Sequence, residues 1–117
     1  MTHYLIMDLG FVCKGPGDTD DAFDAFSDRV LDELIKLQMS GDVGIVGDPD
    51  ITASLTERTM SILLGIEAST LQDADRLFMA NVRCALHAAG CHTAGWPNYE
   101  PAENDFPPAR KAEFAEA

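Results

Sequence analysis

Positive charge is scarce in this sequence: only 8 of 117 residues are Lys or Arg, against 20 Asp and Glu, for a net charge of −12. Binding to a phosphate backbone or an anionic lipid surface depends on clustered cations that displace counterions, and these are scattered. Direct nucleic-acid binding and membrane-surface attachment are therefore not expected. The sequence also lacks any run approaching the roughly 18 consecutive apolar residues of a membrane-spanning helix. The opening stretch MTHYLIMDLG has no basic start, and Asp8 interrupts its apolar run before the hydrophobic segment of a secretion signal would be complete. Cysteine is limited to three residues, an odd count that suits reduced thiols in a cytoplasm better than a disulfide framework. What the chain does have is 46% apolar residues at the length of one domain, enough for one core without disulfide or metal.

Periodicity divides the chain. In YLIMDLGFVC, residues 4–13, Leu5, Met7, Leu9 and Phe11 alternate with a mixed face, as in a half-buried strand. KGPG ends it, Asp18 or Thr19 can cap a helix, and Asp20 and Asp21 suit the positive end of the helix dipole. Phe23, Phe26, Val30, Leu34 and Leu37 then recur at helical spacing to about Met39, with Gly41 as the stop. GDVGIVGDPD reads as a connector with a short extended piece at Val43–Val46. Ile51, Ala53 and Leu55, then Met60, Ile62, Leu64 and Ile66, predict a hairpin. A second helix is expected over Leu71–Ala89, burying Leu71, Ala74, Phe78, Val82, Ala85 and Ala89 and ending at Gly90. CHTAGW suggests a short last strand. From there a single domain over residues 1–97 gives way to a loosely attached, proline-rich acidic tail over 98–117.

The order strand, helix, strand, strand, helix, strand is that of an α+β, ferredoxin-like split βαβ fold, with two helices on one face of an antiparallel sheet. The sheet's other face would carry Tyr4, Ile6, Val12 and Leu63 beside Thr52, Ser54 and Ser61. That half-apolar composition predicts a homodimer interface.

Candidate chemistry is sparse. Cys84, His87, Cys91 and His92 fall within nine positions, which admits three readings: a metal site, a histidine-activated cysteine, or a helix terminus. On a helix at about 100° per residue, Cys84 and His87 are neighbours. The set Cys84, His87 and one of Cys91 or His92 matches no structural zinc spacing, and no orienting group for a Cys–His pair is evident. The terminus reading is adopted, with no catalytic residue, cofactor or metal assigned. Asp48, Asp50 and Thr52 begin like a calcium loop, but Ala53 and Thr59 stand where glycine and a bidentate glutamate belong. No dinucleotide fingerprint, phosphate loop, G-x-S-x-G or H-E-x-x-H occurs. On the first helix, Asp21, Asp24, Asp28 and Asp32 stand 3, 4 and 4 residues apart in one acidic row, interrupted by no cation until Lys36. Such a row is a solvated face, a docking surface for a basic partner, or a weak divalent-ion site.

Asp48 through Arg58, in the pattern D-x-x-x-x-A-x-L-x-x-R, and Leu86 through Pro97, L-H-A-A-G…G-W-P, resemble motifs of small acidic proteins of actinobacteria and their phages. The resemblance covers roughly residues 45–97. It implies the same fold and a bacterial or phage origin, and no particular activity. The function expected is a small noncatalytic binding or regulatory protein, homodimeric through its sheet face, with Asp21, Asp24, Asp28 and Asp32 available to a basic protein. The alternative is a dimeric ferredoxin-like enzyme such as a cofactor-independent monooxygenase, by analogy of fold. A roomy pocket lined by histidine and Trp96 would favour the enzyme; a filled core would favour binding.

Overall fold

The computed structural model describes residues 1–41, 44–91, 98–102 and 109–112. Strand β1 (Thr2–Lys14) is followed by helix α1 (Asp20–Ser40), the hairpin strands β2 (Ile45–Ser54) and β3 (Thr59–Glu67), helix α2 (Leu71–Ala88), and the short strands β4 (Asn98–Pro101) and β5 (Arg110–Lys111). The strands form one antiparallel sheet in the order β2-β3-β1-β4, with β5 also on β1. Both helices cover the same face. This is the α+β, ferredoxin-like arrangement that the element order predicts.

Local chemistry sets the helix ends. Thr19 caps α1, its Oγ1 accepting from Ala22 N at 3.0 Å, while Asp20 and Asp21 occupy the first turn. Gly41, at φ 78°, closes the far end with its N–H on the Gln38 carbonyl. Thr70 caps α2 through Asp73 N at 3.1 Å, and the helix finishes at Ala89 and Gly90 (φ 113°).

The odd-numbered residues of β1, Leu5 to Phe11, pack with Met60, Ile62, Leu64 and Ile66 of β3 against Phe23, Phe26, Val30 and Leu34 of α1 and Phe78, Val82, Ala85 and Leu86 of α2. All are buried. Phe11, Phe23, Phe26 and Tyr99 cluster with ring centroids 5.1–6.0 Å apart, several tilted or edge-on as the ring quadrupoles favour.

Within residues 1–91 the structure departs from the sequence reading in three places. β2 runs from Ile45 straight through the expected GDPD connector, absorbing it in a register shift between Val46 and Asp50. Leu55 lies in the hairpin turn instead of a strand. Leu71, expected in the core, is 51% exposed: as the first residue of α2 it borders an open groove beside Leu5 and Lys111. The expected strand over CHTAGW falls almost wholly outside the described residues, and the strand that is seen begins at Asn98.

Part of the expected loose tail is thereby integral to the fold. β4 pairs with the end of β1 (Phe11↔Pro101 to Lys14↔Asn98), and Tyr99 is 1% exposed inside the aromatic cluster. β5 pairs nearer the start (Ile6↔Arg110, Leu5↔Lys111), so the two short strands divide one edge of β1 while β3 takes the other. Tyr99→Ala is expected to cost about 3 kcal/mol or more of unfolding free energy in a urea titration, as for a large aromatic removed from a core. A loss below about 0.5 kcal/mol would return Tyr99 to the status of a surface residue.

Candidate functional site

The entry to α1 is built at a corner where β1, the β2–β3 turn and β4 converge. Arg58 closes that turn at φ 55°, a left-handed conformation that disfavours residues other than glycine. Its carbonyl accepts from Phe11 N at 2.8 Å, fixing the turn to β1. Its guanidinium reaches Asp18 Oδ1 and Asp20 Oδ1, both at 2.8 Å, donates to the Leu55 carbonyl, and lies 5.6 Å from the Phe23 ring centroid. Tyr99 donates its hydroxyl to the same Asp18 oxygen at 2.8 Å.

The ionisation states follow from these contacts. The bonds from Tyr99 and then Arg58 hold the Asp18 carboxyl below its ordinary range, and the paired aspartates, Asp20 first, hold the Arg58 guanidinium more firmly protonated. Burial, and then the bond to Asp18, push the Tyr99 phenol up to about 12. Burial likewise raises the Cys13 thiol beside this corner.

From this anchored end, α1 carries Asp21, Asp24, Asp28 and Asp32 along one side, all four exposed. None has an ion pair among the described residues. The nearby cations are engaged elsewhere: Arg29 turns to the Ala89 carbonyl at 3.4 Å and the Phe26 ring at 5.9 Å, and Lys36 bonds Glu33 at 2.9 Å. Arg58 is held at Asp18 and Asp20. The acidic row is therefore brought together as the spacing predicts and forms no ion pair among the described residues, although Asp32 at its far end attracts Lys36.

On the opposite side of the sheet, Ile6 and Leu63 are paired in register and half-buried, and Tyr4 is 43% exposed. The Tyr4 ring lies over Gly65: a Cβ there would meet Tyr4 Cε1 at 2.8 Å and the Val46 carbonyl at 2.7 Å. Val12, also exposed, does not join them. It stands six residues from Ile6, about 20 Å along an extended chain, with Asp8 and its partner Arg110 (3.3 Å) between.

Among the described residues, Cys84, His87 and Cys91 do not converge. Cys84 and His87 are exposed, whereas Cys91 is buried with its Sγ donating to the Tyr99 carbonyl at 2.9 Å. Burial, with Glu100 nearby, pushes the Cys91 thiol up to about 12, leaving little thiolate to ligate or attack. Gly90 N and Cys91 N bond back to the carbonyls of His87 and Leu86, as at a helix end. His92 and Trp96 lie outside the described residues; among those described, no group of three or more candidate ligands could hold a metal ion. No described helix is long and apolar enough to cross a membrane.

Sequence reasoning found the acidic row but missed the Arg58–Asp18–Tyr99 corner, in which Arg58 figured only as the last letter of a motif. No family model, curated protein or solved structure matches the chain.

The corner makes two pH limits measurable. A group with a depressed folded pKa stabilises above its unfolded value, so the Asp18 contribution is expected in full above about pH 4 and lost as pH falls through the folded value; Asp18→Asn should flatten that acid limb of stability. Tyr99 behaves oppositely. Its unfolded phenol ionises near pH 10 and its folded one near 12, so stability declines across that interval. Phenolate absorbance should show a late step missing from Tyr99→Phe.

Proposed function

We propose that this is a small noncatalytic binding or regulatory protein that docks a basic protein partner through the acidic side of α1. The observation that carries this reading is the row of Asp21, Asp24, Asp28 and Asp32, exposed while Arg29, Lys36 and Arg58 are committed elsewhere. Carboxylates at this spacing repel one another by a few tenths of a kcal/mol per pair. They also cast a negative potential that steers a cationic surface and speeds its association.

A homodimer joined through the outer sheet face belongs to the same proposal. Tyr4, Ile6 and Leu63 supply its apolar centre, and a two-fold axis would double that patch. Val12 is too distant to share that centre and would lie at the rim. A cytoplasmic setting and an actinobacterial or phage origin complete the proposal, the latter resting on the resemblance of residues 45–97.

Salt separates the two interfaces. A complex with a basic partner should weaken as ionic strength rises from about 50 to 300 mM, because screening shortens the Debye length below 10 Å. The homodimer brings two chains of net charge −12 together and should hold or tighten over the same range. Light scattering is expected to give twice the chain mass for the wild type and the monomer mass for Ile6→Asp. For docking, capture from host lysate with wild type and the Asp24→Asn/Asp28→Asn variant side by side should lose the basic partner from the variant. Association should slow about tenfold while the variant's own stability holds or rises slightly. Capture indifferent to both salt and the double substitution would leave the row as plain solvated surface.

A further inference from the structure

On the outer face of the sheet, the pairing registers set one row of side chains across four strands. Asp50 of β2 stands opposite Leu63 of β3, Leu63 opposite Ile6 of β1, and Ile6 opposite Arg110 of β5. Residues opposite one another in register share a face, so an acid, two aliphatics and a base lie side by side, with the charged residues roughly 14 Å apart at the ends. Asp50 and Arg110 are exposed, and Ile6 and Leu63 are half-buried. The row to one side, Val46, Gly65 and Tyr4, is apolar, with the Tyr4 ring laid over Gly65. The row to the other side, Thr52, Ser61 and Asp8, is polar.

The order acid, aliphatic, aliphatic, base complements its own reverse. A second copy laid face to face on the first is related to it by a two-fold axis in the plane between the sheets, and that axis can run along the strands or across them. An axis across the strands over this row sets each residue against itself, Asp50 on Asp50 and Arg110 on Arg110, and both like-charge contacts cost free energy. An axis along the strands, passing between β3 and β1, reverses the row. Ile6 then meets Leu63 of the other copy, and each Asp50 stands across from an Arg110. Both axes allow the strands to cross within the roughly 30° of aligned sheet packing, so charge decides between them. Arg110 keeps its contact with Asp8 at 3.3 Å, because the guanidinium fork has donors enough for a carboxylate on each side.

We infer that the homodimer, on whose existence this rests, closes about a two-fold axis running along the strands between β3 and β1, with two reciprocal Asp50–Arg110 ion pairs flanking an Ile6–Leu63 centre. The apolar strip alone does not select an orientation, and the charged ends do. β5 thereby becomes part of the interface, since this two-residue strand supplies the cation of the row.

The test is sedimentation equilibrium of the full chain as wild type, Asp50→Arg and Asp50→Arg/Arg110→Gln. Asp50→Arg sets like charges across the axis and is expected to raise the dimer Kd at least about tenfold. The same change makes each copy less negative, which by itself would favour association, so weakening identifies the local pair. Adding Arg110→Gln removes the facing charge and should recover most of the loss. In wild type mixed from isotope-labelled and unlabelled chains, filtered NOEs should join Ile6 of one copy to Leu63 of the other. Wild type that stays monomeric at every concentration would overturn the dimer itself. A dimer indifferent to Asp50→Arg, a loss that Arg110→Gln does not relieve, or NOEs joining Ile6 to Ile6 and Leu63 to Leu63 would leave the dimer standing and overturn this orientation.

Discussion

The bonding of Arg58 to Asp18 and Asp20 ties together pieces of chain that would otherwise meet only through apolar contact. Its backbone fastens the hairpin turn to β1, its guanidinium fixes the approach to α1, and through Asp18 it reaches the Tyr99 hydroxyl on β4. Only 18% of its side chain is exposed, so its cation works against less water than a surface arginine would. The direction in which α1 leaves the sheet, and hence where its acidic row points, depends on this junction. An arginine in a left-handed turn position is disfavoured by itself, and its presence is intelligible from the bonds it makes there.

Scarce positive charge shapes the rest of the surface. With 8 cations against 20 anions, every arginine that performs an internal task leaves acids unpaired elsewhere. Arg58 secures the start of α1, and Arg29 bonds the last carbonyl of the α2 cap. Interior order and exterior charge are thus set by the same few residues. The proposed docking face is where the cations were withdrawn.

The regular elements were legible because their burial is periodic. Leu5 to Phe11 alternate, and Phe23 to Leu34 recur at helical spacing, so the pattern alone places them in a core. The acidic row was legible for the same reason. Its lack of ion pairs was not, since spacing cannot say that Lys36 would choose Glu33 or that Arg29 would fold over Phe26. Tyr99 was hidden by its setting: one aromatic among Pro97, Asn98, Glu100 and Pro101 carries no period, and its burial depends on a pairing with Cys13, 86 positions earlier. In the same way Gly47, Asp48 and Pro49 have the chemistry of a loop, and only a partner strand able to absorb the shift keeps them in the sheet.

The sharing of β1's outer edge by β4 and β5 bears on how the molecule can associate. An unpaired strand edge is a template on which another chain can extend the sheet, the route to runaway polymerisation. Here β4 and β5 occupy most of the hydrogen-bonding positions along that edge, and Ala102 adds a bond to the Gly10 carbonyl. At the opposite margin, β2 presents Asp48, Asp50 and a proline with no N–H to offer, beside an irregular register. The margin on the first side is then β4 and β5 themselves, strands of only 4 and 2 residues, so both margins offer little to an added strand. Growth by lateral extension is discouraged, and the proposed pairing of copies through the broad face of the sheet would close on its two-fold axis and stop.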